Sequence, residues 1–204
     1  MQAKYRHYIW DFDGTLFDSY PHITYTFCKL MAEAGRSVDP AEVDYMLRLS
    51  FADARKHFAM PDAVYEVFRM RQREDFDPPV VPYPEIEAVL KALQDAGADH
   101  YIYTHRDTKS LHYYLDKYDL GKYFAGMITA DDAFPLKPAP DALNALMARY
   151  GLQREDCVMV GDREIDIGSG KAAGMAGCLF DERLLAPKTA ADHTATALSQ
   201  IPLL

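Results

Sequence analysis

The sequence predicts an α/β fold in which helices cover both faces of a parallel sheet, with a helical block inserted after the first strand. Two observations support this prediction. Short apolar runs alternate with helical stripes from about residue 82 onward, a pattern typical of parallel strands joined by right-handed helical crossovers. Strand candidates then vanish between about residues 16 and 83. The length of 204 residues gives about 1.4 domains at roughly 150 residues each, enough for a core and a smaller insertion.

The elements of the sheet unit follow from hydrophobic periodicity. Strands are predicted at residues 8–10, 101–103, around 126–128, 157–160 and 178–180, the last of these being the terminal strand. Helices are predicted around residues 86–97, 111–118, 138–151 and through 172–173. Gly97 and Gly151 each follow the last apolar residue of a helical stripe, where glycine commonly ends a helix.

Residues 16–81 form the predicted insertion. Apolar residues recur there at helical spacing, as in Ile23, Phe27 and Leu30. The return to the sheet passes through residues 77–84, whose four prolines make a stiff, extended connection. The expected domains are therefore residues 1–15 with 82–204, and the helical unit 16–81. Such an insertion can move as a lid, or it can be a fixed subdomain that only adds core.

The charge balance limits the class of partner. Asp and Glu number 31 against 22 Lys and Arg, a net charge of −9, which disfavours nucleic acid and anionic membranes. No apolar run approaches the 18 or so residues of a spanning helix, and the basic start lacks the apolar segment of a signal peptide. We expect a cytoplasmic protein. The three scattered cysteines indicate reduced thiols rather than disulfides or a zinc site.

The densest chemical signal follows the first strand. Asp11 and Asp13 lie two residues apart in the segment Asp-Phe-Asp-Gly-Thr, so they share one face if the extended backbone continues. The carboxyl ends of parallel strands are where open α/β sheets bind their ligands. The two carboxylates are therefore candidates for a site at this edge of the sheet.

Further polar residues follow the other predicted strands. Thr104 comes after residues 101–103, Lys137 precedes a helix after the strand near 128, and Asp162 and Asp166 follow residues 157–160. Each has an ordinary alternative reading as a helix cap, a solvated lysine or an acid at a helix N-terminus. Their joint occurrence at strand ends favours convergence on the edge that carries Asp11.

Together these segments resemble a known family. The D-x-D-G-T-L opening, the strand-end threonine, the Lys-Pro step and the late V-G-D-x-x-x-D are similar to the four motifs of the haloacid dehalogenase superfamily, specifically its small-molecule phosphatases. The resemblance covers nearly the whole chain. It implies a three-layer Rossmann-like core, and the insertion matches the helical cap of the phosphoglycolate-phosphatase-like and β-phosphoglucomutase-like branch.

The resemblance implies a Mg²⁺ site made by Asp11, Asp162 and the backbone carbonyl of Asp13. A carboxylate held against phosphate by a cation can attack phosphorus, so Asp11 is the expected nucleophile. The Asp13 side chain would protonate the leaving group and then deprotonate water, a role that burial or a neighbouring like charge would favour. Thr104 and Lys137 would bind the transferring oxygens.

Four residues have subsidiary expected roles. Asp166 would orient Lys137 or a metal-bound water. His105 and Arg106 would bind a substrate anion, and the alternative is that they cap the next helix or lie at the surface. Arg48, which forms a basic cluster with residues 55–57, would contact a second substrate anion, although a solvated helix face is the alternative.

The expected function is hydrolysis of a small soluble phosphate ester. A phosphosugar mutase would use the same residues, and it differs in excluding water. A dehalogenase would have no use for the protonating Asp13. A catalytically idle phosphate-binding or interaction domain would be favoured by loss of Asp11, Asp13, Lys137 or Asp162, and all four are present. The identity of the ester and the oligomeric state are left open.

Overall fold

The chain divides into two compact units. The computed structural model describes residues 3–74, 78–186 and 188–203. One unit comprises Met1–Leu16 together with Pro82–Leu204, and the other comprises Phe17–Val81. Asp77, the first residue of the expected proline-rich connection, lies outside the described residues.

The larger unit is built on a six-stranded parallel sheet, which confirms the predicted fold class. The strands of the described chain, in order, are β1 (His7–Trp10), β2 (Phe17–Asp18), β3 (Val81–Pro82), β4 (Asp99–Tyr103), β5 (Phe124–Ile128), β6 (Cys157–Gly161), β7 (Ala176–Phe180) and β8 (His193–Ala195). All of them except β2 and β3 belong to the six-stranded sheet. The sheet order is β5-β4-β1-β6-β7-β8, so β1 is central. Trp10 pairs with Ile102 of β4 and Val160 of β6, which places the ends of these three strands side by side.

The helices of the described chain follow the predicted stripes. They are α1 (Tyr20–Glu33), α2 (Pro40–Leu49), α3 (Phe51–His57), α4 (Asp62–Arg71), α5 (Ile86–Asp95), α6 (Thr108–Lys117), α7 (Asp141–Tyr150) and α8 (Glu164–Ala172). Helix α7 ends at Gly151, whose φ of +67° is a left-handed conformation that costs glycine little. The apolar side of α7, including Leu143 and Leu146, packs in one buried cluster with Ile9 and Met159 of the sheet. That packing anchors β1 and β6 beneath the edge of the sheet that carries the acids.

The inserted unit has a core of its own. Helices α1 to α4 bury an aromatic and aliphatic cluster in which Phe27 contacts Phe58 and Phe68 edge to face. The Asp39 side chain caps α2 and the Ser50 hydroxyl caps α3, each accepting a backbone N–H of the first turn. No helix among residues 3–74, 78–186 and 188–203 combines the length and the hydrophobicity that a membrane span requires.

Three strands differ from the sequence-based expectation. The strand at residues 178–180 is not the last one, because β8 follows it and pairs parallel with β7. The stretch expected to be purely helical is flanked by β2 and β3, which pair with each other. All three are two or three residues long. They form by pairing with a neighbouring strand, and none of them contains an apolar run from which a strand could be predicted.

Candidate active site

The backbone hydrogen bonds of the parallel sheet continue one residue beyond β1 and β4. They hold the polar residues that follow these strands at one edge of the sheet. The Asp11 N–H donates to the Val160 carbonyl at 2.8 Å, and the Thr104 N–H donates to the Ile128 carbonyl at 3.0 Å. Asp162 directly follows the last residue of β6. The structure therefore brings these residues to one edge, as expected from the carboxyl ends of parallel strands.

The ammonium of Lys137 makes three hydrogen bonds at this edge of the sheet. Its ammonium donates to Asp11 Oδ1 at 2.6 Å, to Asp166 Oδ1 at 2.8 Å and to the Tyr103 carbonyl at 2.8 Å. An ammonium has three protons, and these three acceptors use all of them. The side chains of Lys137, Asp11 and Asp166 are 1%, 3% and 0% exposed. The cluster is thus a buried ammonium shared between two carboxylates.

His105 holds the loop that carries Lys137. The Lys137 N–H donates to His105 Nε2 at 3.0 Å, and the Lys137 ammonium lies 4.5 Å from the centre of the Tyr103 ring. The helix-capping alternative for His105 and Arg106 is wrong, because Asp107 caps α6 by accepting the Ser110 N–H at 2.8 Å. A substrate contact by His105 stays a prediction.

The two carboxylates on Lys137 differ in their proton affinity. Burial, partly opposed by Lys137, raises the pKa of Asp11 to about 6. Burial acts on Asp166 in the same direction, but Lys137 and Arg163 outweigh it and hold the pKa of Asp166 below its ordinary value. The Arg163 N–H donates to Asp166 Oδ2 at 3.1 Å, a second hydrogen bond that favours the ionised form. Lys137 and Arg163 together therefore outweigh the burial of Asp166, whereas the burial of Asp11 is only partly compensated.

The acids at this edge fit a hard divalent cation. Asp11, Asp162 and Asp166 each offer a carboxylate oxygen, and these oxygens lie within 4.8 Å of one another. Asp11 Oδ2 is buried and has no hydrogen-bond partner among the described residues. Mg²⁺ prefers such oxygen donors, and a cation would satisfy the orphaned oxygen. The ligand role of the Asp13 carbonyl stays a prediction.

Arg106 and Asp13 form a second ion pair. Arg106 Nη2 lies 2.6 Å from Asp13 Oδ1, and Arg106 Nε lies 3.4 Å from Asp13 Oδ2. The Arg106 side chain is 1% exposed and that of Asp13 is 25% exposed. The surface alternative for Arg106 is therefore wrong. The surroundings expected for Asp13 are also wrong, since an opposite charge faces it and a quarter of the side chain is exposed.

Thr104 lies next to this pair. Its hydroxyl accepts the Arg106 N–H at 3.1 Å, and its side chain is buried. The hydroxyl proton is still able to donate to an oxygen, so the expected contact with a transferring phosphoryl group stays a prediction.

Arg48 belongs to the inserted unit and is held there by its neighbours. Its guanidinium lies 3.2 Å from Asp44, 3.9 Å from Asp18 and 4.1 Å from the centre of the Tyr20 ring. The side chain is 10% exposed, so the solvated-face alternative is wrong for Arg48. Its contact with substrate stays a prediction.

The model of the haloacid dehalogenase-like hydrolase family matches residues 8–180. The chain belongs to this family. A phosphoglycolate phosphatase of Pseudomonas syringae pv. syringae is 29% identical over 183 residues, which are 82% of this chain and 66% of that protein. The chain thus spans slightly less than two thirds of the length of that relative.

Two further proteins are similar to most of this chain. A phosphoglycolate phosphatase of Vibrio parahaemolyticus is 30% identical over 181 residues, covering 81% of this chain and 79% of that one. The crystal structure of a hydrolase from Streptococcus pneumoniae TIGR4 superposes with a TM-score of 0.63 at 29% identity, covering 87% of this chain and 93% of that one. The family resemblance predicted from the four motifs is confirmed.

Proposed function

We propose that this protein is a Mg²⁺-dependent phosphatase that hydrolyses a small-molecule phosphate monoester through an aspartyl-phosphate on Asp11. The observation that supports it is the buried Asp11 carboxylate, with Oδ1 on Lys137 at 2.6 Å and Oδ2 without a partner in the described part of the chain. The phosphoglycolate phosphatases among its relatives support a phosphate ester as substrate.

The first step transfers the phosphoryl group to the protein. A carboxylate oxygen of Asp11 forms a bond to phosphorus, and the bond between phosphorus and the leaving-group oxygen breaks. Asp13, in its protonated form, gives its proton to that oxygen, so the alcohol leaves neutral. Lys137 presents its fixed positive charge to the transferring oxygens.

The second step returns Asp11 to its starting state. Water attacks phosphorus, Asp13 takes the proton that water loses, and the bond between phosphorus and Asp11 breaks with its electron pair returning to the carboxylate. Inorganic phosphate leaves. One water is consumed for each ester, and Asp13 ends with the proton that it gave up in the first step.

A divalent cation would be held by Asp11 and Asp162, with Asp166 within reach and the Asp13 carbonyl as the family resemblance implies, and it would supply charge that neutralises the phosphate oxygens. We also propose that the inserted unit acts as the cap domain and that Arg48 contributes to substrate selection. The cytoplasmic location inferred from the sequence stays a prediction.

Phosphate release from a panel of esters tests this function. The panel contains phosphoglycolate, several sugar phosphates and an aryl phosphate, each assayed with Mg²⁺ and with a chelator. We expect release only with the metal, and a loss of about 10⁴-fold or more for Asp11→Asn. Asp95→Asn, which removes an exposed acid that pairs with Lys91, is the matched control and should be unchanged.

Two results would overturn the proposal. One is the absence of release from every ester in the presence of Mg²⁺. The other is isomerisation of a hexose 1-phosphate without release, which would instead establish a phosphosugar mutase.

A further inference from the structure

Lys137 is a buried residue between exposed neighbours. Leu136, which is 66% exposed, precedes it, and the exposed Pro138 follows it. Apolar packing by these two side chains therefore does little to fix the backbone at this point. Three of the six residues from 135 to 140 are prolines, which have no N–H to donate. The backbone N–H of Lys137 is thus one of the few donors through which this segment can be anchored.

The end of β4 holds Lys137 at both ends. The Tyr103 carbonyl accepts the Lys137 ammonium at 2.8 Å, and His105 Nε2 accepts the Lys137 backbone N–H at 3.0 Å. The two acceptors lie two residues apart, at the end of a strand that pairs with β1 on one side and β5 on the other. A lysine side chain loses much conformational freedom when it is ordered. Two attachments to one paired strand restrict the positions that the ammonium can adopt.

The same hydrogen bond defines the state of the His105 ring. A backbone N–H can only donate, so Nε2 is unprotonated and the proton of the neutral ring is on Nδ1. The ring also packs edge-on against the Tyr103 ring, with the centroids 6.1 Å apart and the planes at 80°. Nε2 is therefore an acceptor for Lys137 and is not a donor to a substrate anion.

We propose that His105 is a positioning residue that fixes the backbone of Lys137, so that the Lys137 ammonium meets the transferring phosphoryl oxygens. The inference rests on the proposed function, in which Lys137 presents its charge to those oxygens. His105 acts through Lys137. The contact with a substrate anion that the sequence predicts would have to use Nδ1, so the two roles use different nitrogens of the ring.

Amide side chains distinguish the two ring nitrogens. The amide in His105→Gln reaches the position of Nε2, where its oxygen can accept the Lys137 N–H, whereas the amide in His105→Asn reaches only the position of Nδ1. His105→Phe keeps a ring against Tyr103 and offers no acceptor. His112→Phe, which replaces an exposed histidine on α6, is the matched control.

The first measurement is kcat for phosphate release from the ester that the panel identifies, with Mg²⁺ present. We expect kcat to fall about tenfold or more in His105→Phe and in His105→Asn, because the ammonium is less precisely placed. His105→Gln should stay within about threefold of wild type, because its amide oxygen replaces the lost acceptor. His112→Phe should match wild type.

Hydrogen exchange at the Lys137 amide, measured by NMR, gives a readout that does not depend on activity. Exchange should be slow in wild type and in His105→Gln, and about tenfold faster or more in His105→Phe and His105→Asn, because the amide has lost its acceptor. Urea unfolding verifies that each variant is folded. If His105→Phe does not fold, the comparison of His105→Gln with His105→Asn makes the same test.

The outcomes separate this inference from the proposed function. With an active wild type, an unchanged kcat in His105→Phe, equal losses in His105→Gln and His105→Asn, or recovery by His105→Asn alone overturns the role of His105 and leaves the phosphatase function standing. Slow exchange of the Lys137 amide in His105→Phe does the same. A wild type that releases no phosphate from any ester overturns the function and this inference with it.

Discussion

The two buried cations at the edge of the sheet differ in how many carboxylates they face. Lys137 faces Asp11 and Asp166, and all three side chains are buried. Arg106 faces Asp13, which remains partly exposed. The first cluster has one negative charge in excess, whereas the second pair is balanced. An excess of carboxylate next to an ammonium suits the binding of a further cation, and a balanced fork suits the orientation of an accessible acid.

The two carboxylates of the Lys137 cluster are not equally compensated by the positive charges around them. Asp166 has its pKa lowered by Lys137 and Arg163 despite burial, whereas burial raises that of Asp11 to about 6. The carboxylate that the proposed function uses as nucleophile is therefore the one that the folded protein compensates least. Active sites commonly keep a destabilising charge of this kind because activity requires it, and the free energy of unfolding is lower as a result.

Lys137→Met should produce the largest effect of the variants that address this comparison. It removes the ammonium that bonds both carboxylates, so we expect kcat to fall about 10²- to 10³-fold. It also deprives two buried acids of their shared ammonium, and we expect the free energy of unfolding to fall by about 3–5 kcal/mol. Steady-state kinetics and urea unfolding measure the two effects. A variant with unchanged kcat would contradict the placement of Lys137 at the reacting group.

Asp11→Asn and Asp166→Asn should shift stability in opposite directions. Asp166, with a lowered pKa, stabilises the fold above its ordinary pKa and loses that contribution as the pH falls through the lowered value. Removing it should cost about 1–3 kcal/mol at pH 7.5. Asp11 has a raised pKa, so its charge destabilises the fold at neutral pH, and an asparagine can still accept from Lys137.

We therefore expect Asp11→Asn to unfold at a urea concentration equal to or above that of wild type when a chelator is present. Asp95→Asn again serves as the exposed control. Destabilisation of similar size by both buried variants would show that Lys137 does not distinguish the two acids.

Metal affinity should depend on pH through Asp11. Its pKa of about 6 means that the carboxyl is mostly protonated below that pH, and a cation must displace the proton to bind. The affinity for Mg²⁺ should fall by up to about tenfold per pH unit below pH 6 and level off above pH 7. Calorimetry in buffers of different ionisation enthalpy should detect proton release near pH 6. An affinity that is constant from pH 5 to 7 would contradict this coupling.

The strands that flank the site were predictable because of where they lie. Central parallel strands are covered on both faces, so β1, β4 and β6 each contain a run of at least three apolar or aromatic residues. β8 has three residues and no such run, and it forms by pairing with β7. Its existence depends on a neighbouring edge that no local pattern encodes.

The acids and Lys137 were predictable for a related reason, since strand ends in a parallel sheet converge. The pairing of Arg106 with Asp13 was not, because it joins residues 93 positions apart through side-chain packing around Phe12 and Tyr114. The hydrogen bond from Lys137 to His105 spans 32 positions in the same way. Local periodicity relates residues up to about four positions apart on a helix and two on a strand.

Trapping the phosphoryl group during turnover tests the central claim most directly. Wild type is mixed with the ester and Mg²⁺, quenched within one turnover and reduced with borohydride, which converts an aspartyl-phosphate to homoserine. We expect homoserine at position 11 in the digested protein, and none in Asp11→Asn. Phosphate release at the normal rate with no homoserine at position 11, or with the label on another residue, would contradict the account.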